Sequence, residues 1–125
     1  MKKSQRKNDL YLFDIIQSIQ RIEEYIKDID YNDFIKDNKT IDAVVRNLEV
    51  IGEASKHISF ELKNKYPALP WEEMYYLRNR ITHEYFGIDL AIIWNIIKNH
   101  LPTNLQQIKE ICQKEEIVFS INLFN

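Results

Sequence analysis

One short segment of the sequence concentrates side chains that can do acid–base and phosphate chemistry. The segment Tyr75–Gly87 contains two Arg, one Asn, one His, one Glu and three Tyr. The imidazole of His83 can accept and donate protons near neutral pH. The guanidinium of Arg78 offers a planar fork of N–H donors that matches phosphate oxygens. This pair suits metal-free cleavage of a phosphodiester, with Asn79 able to orient either group.

RNA already carries the nucleophile for such a cleavage, the ribose 2′-OH. His83 would remove the 2′-OH proton as general base, a role worth about 10²–10⁴-fold in rate. Arg78 would stabilise the charge that develops in the phosphorane-like transition state. The products would be a 2′,3′-cyclic phosphate and a 5′-OH. Since one His cannot be base and acid at the same instant, a symmetric homodimer that brings two copies of each residue into one cleft is favoured.

The spacing of Arg78 and His83 alone also allows non-catalytic roles for both residues. An Arg and a His separated by four residues also occur on solvated helix faces, and a lone His can be a satisfied core residue. Tyr75, Asn79 and His83 share a predicted helix face, which we expect at the two-fold interface of a dimer. The residues therefore permit a ribonuclease without requiring one.

The rest of the chain predicts helices that position this segment, because apolar residues recur at helical spacing almost throughout. A first helix is predicted from about Asn8 to Ile29, and a second starts at Lys39 or Thr40. Asp28–Asn38 is predicted as a polar break with a short helical turn. The first helix should bury a stripe of six residues: Leu10, Phe13, Ile16, Ile19, Ile22 and Ile26. The second should bury Ile41, Val44, Val45, Leu48, Ile51 and Ala54, with Gly52 allowing a close helix approach.

The segment with the chemistry is predicted to lie on a helix of its own. Ser59 is the predicted N-cap of a short helix over Phe60–Lys65. The two prolines of Tyr66–Pro70 indicate a linker. The next helix should run from Trp71 to about Phe86 and end at Gly87.

The remaining sequence predicts one more long helical stretch. Asp89 should cap it, and Pro102 should kink or restart it. Its apolar face comprises Leu90, Ile93, Trp94, Ile96, Ile97, Leu105, Ile108, Ile111 and Cys112. Trp71 and Trp94 are expected as core anchors. For the apolar tail Ile117–Asn125, packing on the bundle and pairing with a partner stay open. The pattern predicts a single all-α domain over residues 1–125, an antiparallel bundle of four to five helices.

Composition excludes several classes of protein. The chain has 125 residues, two Gly and one Cys, which excludes a glycine-rich phosphate loop, an intrachain disulfide and a cysteine zinc site. No metal-ligand spacing, signal peptide or membrane span is recognisable, so we expect a cytoplasmic protein without a metal or cofactor. A net charge of −2 is unusual for a nucleic-acid binder, although binding follows local patches of charge.

The motif Arg78-x4-His83-x-Tyr85 resembles the signature of the HepT-like family of HEPN ribonuclease toxins. The resemblance runs from about Leu10 to Ile111, and the tail after Glu116 does not match. Three further regions resemble the family in order: Asp42–Ala54, Tyr66-Pro-x-x-Pro70-Trp71, and Asp89 followed by Ile93-Trp94 and Leu101-Pro102.

The resemblance implies an all-helical homodimer in which Arg and His face each other across the interface. Such proteins are metal-independent endoribonuclease toxins of type II- or type VII-like toxin–antitoxin pairs. Their partner, a minimal nucleotidyltransferase, silences them by AMPylation of the motif tyrosine. By this resemblance, Arg78 and His83 are the expected catalytic residues, Asn79 is auxiliary and Tyr85 is the modification target. A packing role at a helix end is the alternative for Tyr85.

Other polar residues are weaker candidates. Arg46, Glu53 and Tyr75 could support the catalytic residues, while a solvated flank or a structural ion pair is the alternative for Arg46 and Glu53. His57 and His100 are expected on the surface, and the sequence names no partner for either.

Two further functions stay open on the sequence: a non-catalytic module that docks a nucleotidyltransferase, and a plain dimerisation domain. If the chain does cleave RNA, transfer RNA and messenger RNA are both open as substrates, since no base-reading module is present.

Overall fold

The computed structural model describes residues 3–76 and 89–118, and every regular element in these ranges is helical. In chain order these are α1 (Lys3–Ile26), α2 (Tyr31–Ile35), α3 (Asn38–His57), α4 (Phe60–Lys65), α5 (residues 71–76), α6 (Leu90–Asn95), a π-helical turn (Ile96–His100) and α7 (Leu101–Lys114). The predicted all-α fold is confirmed. None of these helices is long and apolar enough to cross a membrane.

The core is built around the pair of long helices α1 and α3, which make the most extensive helix contact in the described ranges. They run antiparallel, because Asn8 near the start of α1 meets Ser59 just after α3. The Asn8 Nδ2 donates to Ser59 Oγ at 2.9 Å, and the Ser59 N–H donates to Asn8 Oδ1 at 2.9 Å. α7 packs against α1 and adds its own apolar face, Leu105, Ile108, Ile111 and Cys112.

The predicted stripe of α1 is wrong at one residue. Leu10 is 61% exposed, whereas Leu12 is fully buried. At about 100° per residue, Leu10 lies roughly 180° around the helix from Ile19, on the side away from the core. Phe13 is half-buried, and Ile16, Ile19, Ile22 and Ile26 are buried as predicted. α1 also begins at Lys3 rather than Asn8 and ends at Ile26 rather than Ile29.

The two leucines give a matched test of this packing. Leu12→Ala should lower the free energy of unfolding by about 2–5 kcal/mol, because it leaves a cavity in the core. Leu10→Ala on the same helix should change it by less than about 0.5 kcal/mol. Urea denaturation followed by circular dichroism measures both values, and equal losses would contradict the assigned faces of α1.

Carboxylate caps define the helices that follow α1. Asp30 and Asp33 form a reciprocal capping box on α2, which confirms the predicted break with a helical turn. α3 starts at Asn38, one residue before Lys39, the earlier of the two predicted starts, because Asp37 accepts a hydrogen bond from the Thr40 N–H at 3.1 Å. Its predicted apolar residues are buried except for a half-buried Ile41, and Gly52 is buried among them.

The predicted linker before α5 is confirmed, and two side chains hold it in place. Ser59 caps α4 as predicted, by accepting from the Leu62 N–H at 3.2 Å. Trp71 is buried, and its Nε1 donates to the Tyr66 carbonyl at 3.0 Å. This contact confirms Trp71 as a core anchor at the start of α5.

A polar clasp joins the same linker to the end of α7. The Tyr66 hydroxyl donates to the Glu115 carboxylate, and Lys65 Nζ lies 2.8 Å from Glu115 Oε2. Lys65 and Tyr66 hold the pKa of Glu115 below its usual value. Burial, with the neighbouring carboxylate, raises the pKa of Tyr66 to about 12. The linker is therefore held from both sides.

The stretch after Asp89 is helical with one irregular turn. Asp89 caps α6 by accepting from the Ala91 N–H at 2.9 Å. Pro102 stands in the first turn of α7, and because it has no N–H it cannot continue an α-helical ladder. The chain passes this point as a π-helical turn, in which the Leu101 N–H bonds to the Ile96 carbonyl. The predicted restart near Pro102 is confirmed.

Trp94 and Cys112 take the places predicted from the apolar pattern. The Trp94 ring packs on Phe34, with 5.1 Å between ring centroids, and is partly buried against the core as expected of an anchor. Cys112 is buried, and burial raises its thiol pKa to about 12. Of the predicted tail, only residues 117 and 118 are described. Val118 is 90% exposed.

Candidate active site

The four residues of the predicted catalytic motif, Arg78, Asn79, His83 and Tyr85, lie outside the described residues, as does the predicted helix end at Gly87. The structure describes the elements on either side of them. Upstream, α5 is anchored by buried side chains at Trp71 and Met74. Downstream, Asp89 caps α6. The motif is therefore preceded by a packed helix and followed by a capped one.

The last described turn of α5 lies beside the C-terminal end of α3. Tyr75 is half-buried, and Lys56 Nζ lies 5.9 Å from the centroid of its ring. The Tyr76 ring lies 5.7 Å from that of Tyr75. Tyr75 is three residues before Arg78, and three residues of chain span at most about 10 Å. A lysine of α3 thus stands near the point where the motif begins.

Glu53 and His57 form a surface pair on α3. His57 Nε2 donates to Glu53 Oε1 at 3.1 Å, and the imidazole stacks on Tyr11 of α1 with centroids 5.2 Å apart and planes 21° apart. His57 is exposed as predicted, and Glu53 and Tyr11 are partners that the sequence analysis did not name. The i, i+4 spacing of Glu53 and His57 was the sequence signal for this pair.

His100 likewise has a partner that sequence reasoning missed. It is exposed, and Asn95 Nδ2 lies 3.3 Å from its Nε2 atom. In an α-helix, residues five apart lie about 140° apart around the axis. The π-helical turn adds a residue and brings these two side chains to one side. The five-residue spacing of Asn95 and His100 therefore does not indicate a contact unless the π-helical turn is known.

The supporting residues predicted on α3 differ in their surroundings. Arg46 is exposed, and Glu53 is half-buried and bonded to His57. Lys56 and Tyr75 meet where the end of α3 lies beside α5, and Glu53 precedes Lys56 by three residues on α3. Within residues 3–76 and 89–118, no three His, Cys, Asp or Glu side chains lie close enough together to hold a metal ion.

A comparison with protein families identifies the family of this chain. The family model described as ribonuclease HepT-like matches residues 15–111, which include the whole motif from Arg78 to Tyr85. The chain is a member of the HepT-like ribonuclease family. The resemblance seen in the sequence is thereby confirmed, and the all-helical architecture agrees with it.

Curated relatives of this HepT-like chain carry the same family or activity in their names. Two proteins of Methanocaldococcus jannaschii, both provisionally named as RNases, are 42% identical over 106 residues and 46% identical over 99 residues. These alignments cover 85% and 79% of this chain, and 88% and 91% of the relatives. A protein of Thermococcus cleftensis named as the probable ribonuclease HepT is 44% identical over 93 residues, 74% of this chain and 84% of its own length. No solved structure matches the chain significantly.

Proposed function

We propose that this HepT-like protein is a metal-independent endoribonuclease toxin that acts as a homodimer. The observation that carries the proposal is the family match over residues 15–111. The match includes Arg78-x4-His83-x-Tyr85 together with most of the chain before and after this motif. The alternative, a non-catalytic module that docks a nucleotidyltransferase, would not require an Arg, a polar residue and a His in this pattern.

Cleavage follows from the chemistry of two side chains. His83 takes the proton of the ribose 2′-OH, whose oxygen forms a bond to the adjacent phosphorus. Arg78 stabilises the added negative charge on the phosphoryl oxygens. The bond from phosphorus to the 5′-oxygen then breaks, and His83 of the partner subunit supplies the proton to that oxygen. The products are a 2′,3′-cyclic phosphate and a 5′-OH, and Asn79 orients the phosphate or the imidazole.

The described residues around the motif support a site for a polyanion. Lys56 lies beside Tyr75, and Arg46 is exposed on the same helix as Lys56. Lys56 therefore adds positive charge beside α5 in a chain whose net charge is −2. We assign Arg46 to steering RNA, and Tyr75 and Glu53 to positioning at the junction of α3 and α5.

Regulation follows from the motif tyrosine. A minimal nucleotidyltransferase antitoxin would transfer AMP to the Tyr85 hydroxyl. Each AMP adds a negative phosphate and a bulky nucleoside seven residues from Arg78. The modification would repel the RNA backbone and engage Arg78 itself.

Partner-free protein incubated with total RNA in EDTA tests the nuclease directly. We expect fragments with 2′,3′-cyclic phosphate and 5′-OH ends, because neither the nucleophile nor the acid–base group needs a metal. A denaturing gel and analysis of the fragment ends provide the measurement. Intact mass of the same sample shows whether Tyr85 is unmodified. Intact RNA in the presence of unmodified, dimeric protein would contradict the nuclease and favour the docking module.

A further inference from the structure

A pocket of about 380 Å³ opens between α5, α6 and the start of α7. Ligand pockets typically measure about 300–1,000 Å³, so a single nucleoside fits within it. Met74, Ile92 and Ile96 provide apolar wall, and the ring of Tyr76, 53% exposed, stands at its edge. Walls of this kind suit a flat aromatic ligand.

The polar side chains of this pocket offer both an acceptor and donors. Asn99 Nδ2 donates to Asn95 Oδ1 at 2.7 Å, and Asn95 Nδ2 lies 3.3 Å from His100 Nε2. An imidazole ring carries at least one N–H, so the ring of His100 can donate a hydrogen bond, while the carboxylate of Glu73 is an acceptor on the α5 side.

The Glu73 carboxylate in the lining favours a ligand group that donates N–H bonds. The described residues that line the pocket include the Glu73 carboxylate and no Lys or Arg. A phosphate placed here would meet a like charge, whereas a nucleobase would not. Guanine places two N–H donors side by side for a carboxylate and carries O6 and N7 as acceptors for a donor such as His100. The other bases offer a carboxylate fewer adjacent donors.

The location ties the pocket to the catalytic motif. Tyr76 belongs to its lining and precedes Arg78 by two residues, a span of at most about 7 Å of chain. The pocket is therefore adjacent in the sequence to the predicted catalytic motif. The π-helical turn presents Asn95 and His100 to the same pocket, and such irregular turns often occur at functional sites.

We propose that this pocket binds an unpaired guanine base of the RNA substrate and so selects the cleavage site. The inference rests on the proposed ribonuclease function and adds its base specificity. Single-stranded RNA is read in this way, by stacking on aromatic rings and by hydrogen bonds to the exposed base edges.

The decisive variant is Glu73→Gln, with Glu72→Gln as its matched control. Both glutamates are exposed on α5, and Glu73 lines the pocket, whereas Glu72 interacts with Lys63 of α4. Cleavage sites are mapped on a random-sequence RNA. Wild type and Glu72→Gln should cleave next to guanine, and Glu73→Gln should lose that preference by about tenfold. Circular dichroism spectra and the thermal midpoint of each protein check that all three are folded.

A binding measurement separates the pocket from the nuclease. In a His83→Ala background, fluorescence anisotropy compares a uridine oligonucleotide carrying one central guanine with the all-uridine oligonucleotide. The guanine should tighten binding by about tenfold, and adding Glu73→Gln should remove the difference. Cleavage by wild type with no base preference, together with equal Kd values, would overturn the pocket and leave the nuclease standing. Guanine-dependent binding by a wild type that never cleaves RNA would support the pocket and overturn the nuclease.

Discussion

His83→Ala is expected to reduce RNA cleavage by about 10²–10⁴-fold, the usual contribution of a general acid–base group. The loss should lie at the high end, because a homodimer with the variant in both chains lacks the base and the acid together. Initial rates on a defined RNA in EDTA measure the effect. Size-exclusion chromatography and thermal unfolding show that the variant remains a folded dimer.

His57→Gln is the matched control for that loss. His57 is an exposed histidine that donates to Glu53 and stacks on Tyr11. A glutamine at this position keeps an N–H donor for Glu53, so cleavage should stay within about twofold of wild type. Cleavage that persists in folded His83→Ala protein would overturn the acid–base role of His83. Equal losses in both variants would show that any histidine change disturbs the site indirectly.

The architecture was predictable because its signals are local. Ser59 and Asp89 cap helices with their own side chains, and Pro102 interrupts an α-helical ladder by lacking an N–H. The Ile and Leu residues of α1 and α3 repeat with the helical period, so their burial follows from the sequence. The bounds of α1 were less accurate, since helix ends depend on neighbours as well as on pattern.

Sequence reasoning failed where partners come from other turns or helices. The spacing of three residues between Leu10 and Phe13 predicts a shared stripe, but the angular position of Leu10 places it on the outer side of α1. The stacking of His57 on Tyr11 joins two helices that only the folded chain brings together. The contact between Asn95 and His100 depends on the π-helical turn. The pocket of Glu73 and Tyr76 is lined by residues of α5, α6, the π-helical turn and α7. Spacing within one helix could not indicate it.

The frame around the motif favours a site that is assembled at the junction of two packed helices. Trp71 and Met74 anchor α5 in the core. Tyr75 lies beside Lys56 of α3. A substitution that loosens this junction should therefore impair catalysis without touching the reacting groups. Positioning of this kind is costly to lose, because small displacements of a catalytic group reduce rates strongly.

Silencing through Tyr85 is the second effect that we expect to be large. Incubation of the HepT-like protein with the proposed nucleotidyltransferase antitoxin and ATP should bring RNA cleavage down to the background level. In that step the Tyr85 oxygen forms a bond to the α-phosphorus of ATP, and pyrophosphate leaves. Intact mass spectrometry should report the addition of AMP groups, and peptide mapping should place them on Tyr85.

Two tyrosine variants make this prediction specific. Tyr85→Phe removes the acceptor hydroxyl, so the protein should stay unmodified and should keep cleaving RNA when the partner and ATP are present. Tyr25→Phe removes an exposed tyrosine of α1 and should be modified and silenced like wild type. If Tyr85→Phe is silenced without a change in mass, the partner inhibits by covering the cleft. If it is modified elsewhere and silenced, the acceptor is a different residue, and the proposal that AMP on Tyr85 engages Arg78 fails.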